Sequence, residues 1–403
     1  MRHIKHSIEE LMKNLNQNNN PNILFLTHVG QPGGAELVML RLCAAVSDHC
    51  RVIHFERGGL ETLLQDNNIQ SEVLKMPETL TNLRRDGGWK NLIQTIPAII
   101  SMIGALIKKE KQADIIICMS QKSFIMAAIT KIFTRKPIIW FMNDLISEDH
   151  FSKALIFLMT KVFARFANKI ILNSQASYEA WKNAGGAIDK AEIIYPGSDI
   201  SAIDQQLENT DQINHYRQEF NQNDTPIIGI FGRISHWKGQ DIFLKALSNV
   251  QNVQGVIVGG AHFDEDNYLQ TLKNFTAENN LQNRVKFIGH INDVPCAMAA
   301  CDIIVHASTQ PEPFGLVIVE AMLTGRPVIV SNAGGAKEIM LDNETGSLTP
   351  PSDEEALTLA IQKILGDPEK TKDMTEKARH RAIEKFSNDQ MIVKFKTLLK
   401  QVS

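Results

Sequence analysis

Two glutamates separated by seven residues, Glu312 and Glu320, stand in the stretch HASTQPEPFGLVIVEAMLTGRPVIVSNAGG from His306 to Gly335. Glu312 lies between Pro311 and Pro313, whose rings disfavour helix and hold the backbone extended. Gly315 permits close backbone approach, and Leu316 to Leu323 reads as one short helix carrying Glu320 in an apolar setting. Thr324, Gly325 and Pro327 stop it, and Val328 to Val330 reads as a buried strand. A helix N-terminus offers free N–H groups and the positive end of a dipole, which makes the Pro313–Val317 turn an anion site. Two carboxylates beside an anion site suit a ligand with both phosphate and hydroxyl groups, such as a sugar nucleotide.

Two cations offer themselves to the same ligand. After the apolar run Ile227–Phe231 comes Gly232-Arg233-Ile-Ser-His-Trp-Lys238-Gly239. Arg233 and Lys238 share one glycine-bordered loop, so both can reach one diphosphate, Arg as a fork and Lys as a compact charge. The plainer alternative is a pair of solvated surface cations. Gly259-Gly260 and Gly289-His290 follow two further apolar runs, where missing side chains let a ligand approach the backbone. Asp264-Glu265-Asp266 has an Asp-x-Asp spacing, but it sits in a polar loop leading into a helix, where acidic charge favours the helix N-terminus. His28, His236, His290 and His306 fall at strand or loop ends without metal-ligand spacing, and no metal is expected.

The elements that must position these residues alternate. Strand Ile23–Thr27, a loop containing Gly33-Gly34, and a helix to about Val46 make a Rossmann-like first unit. Strands at 52–55, 72–74, 114–119, 138–141 and 169–173 follow, with helices between them, among them 89–109, 124–133, 151–166 and 175–184. A second series has strands at 227–231, 253–258, 285–287, 303–305 and 328–330, then a closing helix pair over 354–402. Strand–helix alternation of this kind implies a parallel, doubly wound sheet in each half. The expected class is α/β, with two Rossmann-like domains. Residues 1–21 form an amphipathic helix and linker, 22–200 the first domain and 201–385 the second. The helix at about 386–403 packs back on the first domain, and the polar segment 202–225 marks the boundary.

Five cysteines without a CxxC pair argue against a disulfide framework or structural zinc and fit a reducing compartment. The first twenty residues lack a signal-peptide core, and the longest apolar run, Leu92 to Ile107, is interrupted and short of the ~20 residues that span a bilayer. A cytoplasmic protein is therefore expected. Residues 1–198 carry 23 Lys and Arg against 18 Asp and Glu, and the remainder 19 against 27. With basic residues beside the apolar faces of 89–109 and 151–166, the first domain can rest peripherally on a membrane, burial against its own sheet being the alternative. Dense phosphate-contacting cations and aromatic platforms are missing, which excludes nucleic acid as the expected partner.

Together these pieces resemble family 4 of the retaining glycosyltransferases, which have the GT-B fold. The resemblance runs from Asn22 onward. It rests on Gly33-Gly34-Ala35-Glu36, Gly232-Arg233 with Lys238-Gly239, Val258-Gly259-Gly260 and Val285-Lys-Phe-Ile-Gly-His290. The spaced glutamates, Asn332-Ala-Gly-Gly335 with Glu338, and Asn343-Glu-Thr-Gly346 complete it. It implies two domains facing a central cleft, no cofactor beyond the nucleoside-diphosphate sugar substrate (UDP- or GDP-sugar), and a glycan or glycolipid acceptor in cell-surface polysaccharide assembly. Glu320 would bind the donor ribose. Arg233 and Lys238, with the amides of Gly315, Leu316 and Val317, would hold the diphosphate and stabilise its growing charge. Gly232, Gly259, Gly289 and His290 would line the donor site, and Glu312 would lie beside the donor sugar, as a catalytic group or an orienting one. Gly33 and Gly34 would face the diphosphate from the other domain, and the leaving phosphate would take the acceptor's proton. Many relatives have His before an acidic residue where this chain has Asn143-Asp144, so a His-based role there is in doubt, and Asp144 is left as an acceptor contact or a loop cap. Two rivals are a nucleotide-sugar epimerase on the same fold and a catalytically silent glycan- or partner-binding subunit.

Overall fold

The computed structural model describes residues 21–46, 49–76, 89–148, 151–221, 223–261 and 265–402, with backbone alone for 89–96. The helix read over residues 3–15, the linker up to residue 20, and Asp264 lie outside the described residues. The chain divides into two units: one runs to Ile194 and takes back the segment from Met391 onward, and the other is Tyr195–Gln390.

The first unit holds β1 (Ile23–Thr27), β2 (Cys50–His54), β3 (Ser71–Val73), β4 (Ile115–Cys118), β5 (Ile138–Met142), β6 (Lys169–Leu172) and β7 (Ala191–Ile193). They form one sheet in the order β3-β2-β1-β4-β5-β6-β7, with every pairing parallel. The second unit holds β8 (Ile227–Phe231), β9 (Gln254–Val258), β10 (Val285–Gly289), β11 (Ile303–His306), β12 (Val328–Ser331) and β13 (Ser347–Thr349), also all parallel, in the order β10-β9-β8-β11-β12-β13. Helices cover both faces of such sheets, so the central strands read as continuous apolar runs: IIIC in β4 and IIWFM in β5 are buried throughout. In the second unit the side-chain alternation sorts one strand into two cores. Val256 and Val258 of β9 enter the cluster with Phe220, Met322 and Phe386, and Ile257 enters the one with Phe243, Leu247 and Ile361. In the first unit Phe124 stacks on Trp140 at 4.2 Å and Trp140 meets Trp181 edge-on at 5.6 Å. Phe395 of the returning C-terminal segment lies 6.5 Å from Phe25.

Three readings change. The polar stretch 202–225, read only as a boundary segment, contains most of two helices, Ile200–Leu207 and Thr210–Phe220. Asp199 and Asn209 cap their N-termini, and Ile203, Tyr216 and Phe220 are buried. The few anchors are diluted by polar residues, which hides the period. The 151–166 helix is broken into α (Lys153–Phe157), π (Leu158–Val162) and 3-10 (Phe163–Phe166) turns, with Thr160 donating to the Ile156 carbonyl at 2.8 Å. The wider turn re-aims the side chains, burying Met159 and Thr160 and leaving Phe157, Leu158 and Val162 outside. The closing pair is three helices, Glu354–Gly366, Pro368–Phe386 and Asn388–Val402, because Asp367 and Ser387 each restart the chain.

One buried acid sits in this frame without a salt bridge among the described residues. Glu110 is fully buried, and its Oε1 accepts from Thr130 Oγ1 at 2.7 Å while Oε2 has no partner among the described residues. Burial, outweighing the Thr130 and Thr134 hydroxyls and Lys136, pushes its carboxyl up to about 7. A raised acid favours the protonated fold, so its contribution is complete below about 4.5 and is lost as pH rises through about 7. Glu110→Gln is therefore expected to leave stability unchanged near pH 4.5 and to raise it by about 3 kcal/mol at pH 8. Urea unfolding at both pH values checks this; an equal effect at both would refute it.

Candidate active site

Strand order reverses between β8 and β11, and ligands of doubly wound sheets bind beyond the carboxyl ends of strands at such a switch point. The loop after β8 carries Arg233 and Lys238, and the loop after β11 carries Glu312. The fold thus brings Glu312 to Lys238, 74 residues away in sequence, with Arg233 on the same loop as Lys238.

Glu312 is 6% exposed, and its Oε1 collects three donors. Lys238 Nζ lies at 2.6 Å, His306 Nε2 at 2.8 Å, and Ser308 Oγ completes the set. Burial alone would raise this carboxyl, but the Lys238 ammonium and the His306 ring override it and hold Glu312 well below the usual carboxylate range. Glu312 is therefore an ionised acceptor at neutral pH. Lys238 lies against the Trp237 ring, its Nζ 4.3 Å from the centroid, which covers the hydrocarbon stem.

Glycines let the surrounding backbones close on this cluster. Gly239 has φ +71°, and a Cβ there would come within 1.9 Å of the Ala307 carbonyl oxygen. Thr309 N donates to the Trp237 carbonyl at 2.8 Å, so the β8 and β11 loops are tied to each other. Gly334, at φ +58°, would place a Cβ 2.3 Å from the Glu312 carbonyl oxygen, and Gly335 N donates to that oxygen at 2.8 Å. The ends of β8, β9 and β10 form a row of glycines: Gly232 N donates to Val258 O at 2.9 Å, and Gly259 N to Gly289 O at 2.8 Å. Gly259 is required by the protein itself, since a Cβ would sit 2.0 Å from Gly232 O. At Gly232 and Gly289 the space beside the backbone is open.

The Leu316–Leu323 helix starts at Gly315, φ +121°, with no side-chain cap. Ile318 N turns back to Gly315 O at 3.0 Å, which leaves the Leu316 and Val317 amides for an anion. Glu320 is half-buried on this helix. Arg233 is exposed, and its guanidinium has no partner among the described residues; His290 is exposed on the loop after β10. Glu265 and Asp266 open the Asp266–Glu278 helix, and Glu265 accepts from Ser235 Oγ at 2.7 Å, a structural use of that acidic run.

In the first unit, Gly33 caps the Gly34–Ala45 helix, and Glu36 accepts from Gly33 N at 3.1 Å and Thr27 Oγ1 at 3.3 Å. Burial raises the Glu36 carboxyl, and the charge of Asp144 adds to the rise. Asp144 is held by Gln121 Nε2. Asn143 Nδ2 donates to the Met119 carbonyl at 3.0 Å and to Phe141 O at 3.4 Å, so it ties the ends of β4 and β5 together. Burial, with Lys122 nearby, lowers His28 to about 4. Ser308 escaped the sequence reading, and His306 entered it only as a neighbour; the pattern His-x-Ser four residues before Glu312 was the available signal.

The Gly334 contact is testable against Gly325, which also has positive φ, +69°, but open space around its Cβ position. Gly325→Ala is expected to cost about 1 kcal/mol, the conformational term alone. Gly334→Ala, which adds a backbone clash under Glu312, is expected to cost at least ~2–3 kcal/mol. Equal costs in chemical denaturation would contradict the close packing.

The family model described as "Glycosyl transferases group 1" matches residues 211–381. HepE of Anabaena, solved in complex with UDP and glucose, is 34% identical over 94% of this chain and 100% of its own, with a TM-score of 0.85. A GDP-mannose-dependent phosphatidylinositol monomannoside mannosyltransferase of Mycolicibacterium smegmatis is 27% identical over 55% of this chain and 59% of its own length. The lipopolysaccharide core mannosyltransferase LpcC of Rhizobium leguminosarum is 33% identical over 35% of this chain and 41% of its own. The chain thus spans roughly half the length of the curated relatives it matches. With HepE matched from end to end and both parallel sheets in place, the chain belongs to the glycosyltransferases of GT-B fold.

Proposed function

We propose that the protein transfers a sugar from a nucleoside-diphosphate donor to a hydroxyl of a glycan or glycolipid acceptor, with retention at the anomeric carbon and without a metal. The carrying observation is the switch-point constellation: ionised Glu312 on Lys238, Arg233 with no side-chain partner among the described residues, and a helix start at Gly315 without a side-chain cap. A diphosphate leaving group needs charge stabilisation as the glycosidic bond breaks. Two cations and the Leu316 and Val317 amides can supply it from fixed positions. Glu320 would accept from the ribose hydroxyls as a charge-assisted acceptor. Oε2 of Glu312, which lies beside the oxygen that takes those three bonds, would accept from a donor-sugar hydroxyl. A uridine donor is the first to test, because HepE, similar along its whole length, was solved with UDP-glucose. Gly33, Gly34 and Asp144 would serve the acceptor, and the phosphate released would take the acceptor's proton.

Glu320→Ala is expected to weaken UDP binding by about tenfold, the worth of one charge-assisted contact. Arg233→Ala is expected to cut turnover by at least ~100-fold. Calorimetry and product analysis over UDP- and GDP-sugars check both. Unchanged affinity and rate in the two variants would remove the proposal, and donor consumed without acceptor to give an isomeric sugar would favour the epimerase.

The acceptor side of the reading includes a membrane. Phe133 is 67% exposed, Ile132 62% and Phe157 59%, with Leu158 and Val162 beside the last. No Asp or Glu occurs in 115–143 or 151–178, whereas Lys131, Arg135, Lys136, Lys153, Lys161 and Arg165 flank these side chains. Lys131 Nζ donates to Phe166 O at 2.8 Å and joins the two segments. No helix among the described residues is long and apolar enough to cross a membrane. An apolar surface with a mainly basic surround, in which Glu148 pairs with Lys153 at 3.3 Å, is suited to lie on anionic lipid. The Phe133→Ser/Phe157→Ser double variant is expected to lose sedimentation with phosphatidylglycerol vesicles while keeping UDP binding. Equal sedimentation of variant and wild type would exclude this surface.

A further inference from the structure

We propose that His306 and Ser308 are positioning residues that fix the Glu312 carboxylate on Lys238, and so present the Lys238 ammonium to the donor diphosphate. The inference rests on the donor-site reading for its second half only.

The bonding leaves one arrangement. A carboxylate held in its ionised form is an acceptor only, so the His306 Nε2 bonded to Oε1 carries the proton. Ser308 Oγ approaches both Glu312 Oε1 and His306 Nε2, the latter at 3.2 Å, and the three groups form a closed triangle. His306 is 6% exposed and Ser308 1%, so water does not compete for these bonds.

The tautomer has a consequence at the other ring nitrogen. With a proton on Nε2, Nδ1 is buried without a partner among the described residues, whether the ring is neutral or charged. A buried polar atom left unsatisfied asks for an explanation. Here the ring is held against that penalty by what Nε2 does for Glu312.

The effect on Lys238 follows from donor counting. An ammonium has three N–H donors, and Glu312 takes one at 2.6 Å. The other two are aimed rather than free to rotate about a long stem, because the carboxylate at the far end is itself immobilised by His306 and Ser308. Without them the same ion pair would form from a carboxylate free to swing, and Lys238 would swing with it. The pair thus acts through Glu312 and touches no substrate.

Lysine labelling of the full chain with acetic anhydride, read by mass spectrometry, tests the first half without any ligand. Exposed Lys400 serves as the internal reference. Lys238 is expected to label several-fold faster in His306→Ala and in Ser308→Ala than in wild type. His306→Gln keeps an N–H donor and is expected to stay near wild type. The second half is read as the ratio of UDP to UMP affinity by calorimetry, which isolates the terminal phosphate. In His306→Ala the ratio is expected to fall about tenfold, with UMP affinity unchanged. A merely structural role would lower the unfolding midpoint and leave the ratio alone. Unchanged labelling of Lys238 in both alanine variants overturns the proposal, and Ser308→Ala carries the test should His306→Ala not fold. Faster labelling with an unchanged ratio overturns the presentation of Lys238. Faster labelling in a protein that binds neither nucleotide supports the positioning and overturns the donor reading instead.

Discussion

An ionised carboxylate at 6% exposure has to be supplied with donors by the protein, since the water it gave up is worth several kcal/mol per charge. Glu312 meets this demand with an ammonium, an imidazole N–H and a hydroxyl on one oxygen. Much of the surrounding architecture exists to bring those groups to one point. Lys238 comes from the loop after β8, and His306 ends β11. Glu312 is carried by a proline-flanked turn whose carbonyl is gripped by Gly335 N. The glycines at 239 and 334 are where one backbone must lie against another, and each contact is closer than any Cβ allows. A sheet with its strand order reversing elsewhere would separate the two loops, and the ion pair would have no place to form.

The same turn is fastened on its other side by aromatic packing. Phe314, two residues past Glu312, lies 5.8 Å from Tyr195 and 5.6 Å from Phe386. Tyr195 is the first residue of its unit, and Phe386 closes the Pro368–Phe386 helix. Ser198 N donates to Phe386 O at 2.9 Å, and Asn388 N donates to Ser198 O at 2.9 Å. Gly197 allows that approach, since a Cβ there would sit 2.6 Å from Ser387 O. Tyr195 Oη in turn donates to Glu338 at 3.2 Å, and Arg381 grips the carbonyls of Glu338 and Ile339, both at 2.8 Å. The site turn is therefore packed against both segments by which the chain enters and leaves this unit.

What the sequence disclosed follows from how each element is stabilised. Buried parallel strands need unbroken apolar runs, so β1, β4, β5, β8 and β12 are plain to read, and with them the doubly wound class. Glu312, Glu320, Arg233 and Lys238 announced themselves as charges beside glycine and proline. β13 offers only Ser-Leu-Thr and went unread. The helices at 200–207 and 210–220 are anchored by few buried side chains, and their caps, Asp199 and Asn209, look like any turn residues. The π turn at 158–162 has no signature in a run of apolar residues, although it decides which of them face outward. Ser308 is invisible for a different reason: its partner is four residues away across a turn whose path only the fold fixes.

In the first unit several polar groups are already committed to the fold. Asn143 spends its amide on the Met119 and Phe141 carbonyls, and Asp144 is held by Gln121. Glu36 caps a helix start and binds Thr27, and His28 is kept toward its neutral form by burial. A general base needs a basic atom within hydrogen-bond reach of the proton it removes. Asn143 offers no such atom, and the bonds of Glu36 are those of a cap. In the second unit Glu312 is tied to Lys238 and held far too acidic to accept a proton at neutral pH. On the proposed reading, a phosphate oxygen released beside Arg233 and Lys238 would have neither restriction, because it would become basic only as the glycosidic bond breaks. On that reading, the commitments of Asn143, Glu36 and Glu312 leave the departing phosphate to take the acceptor's proton.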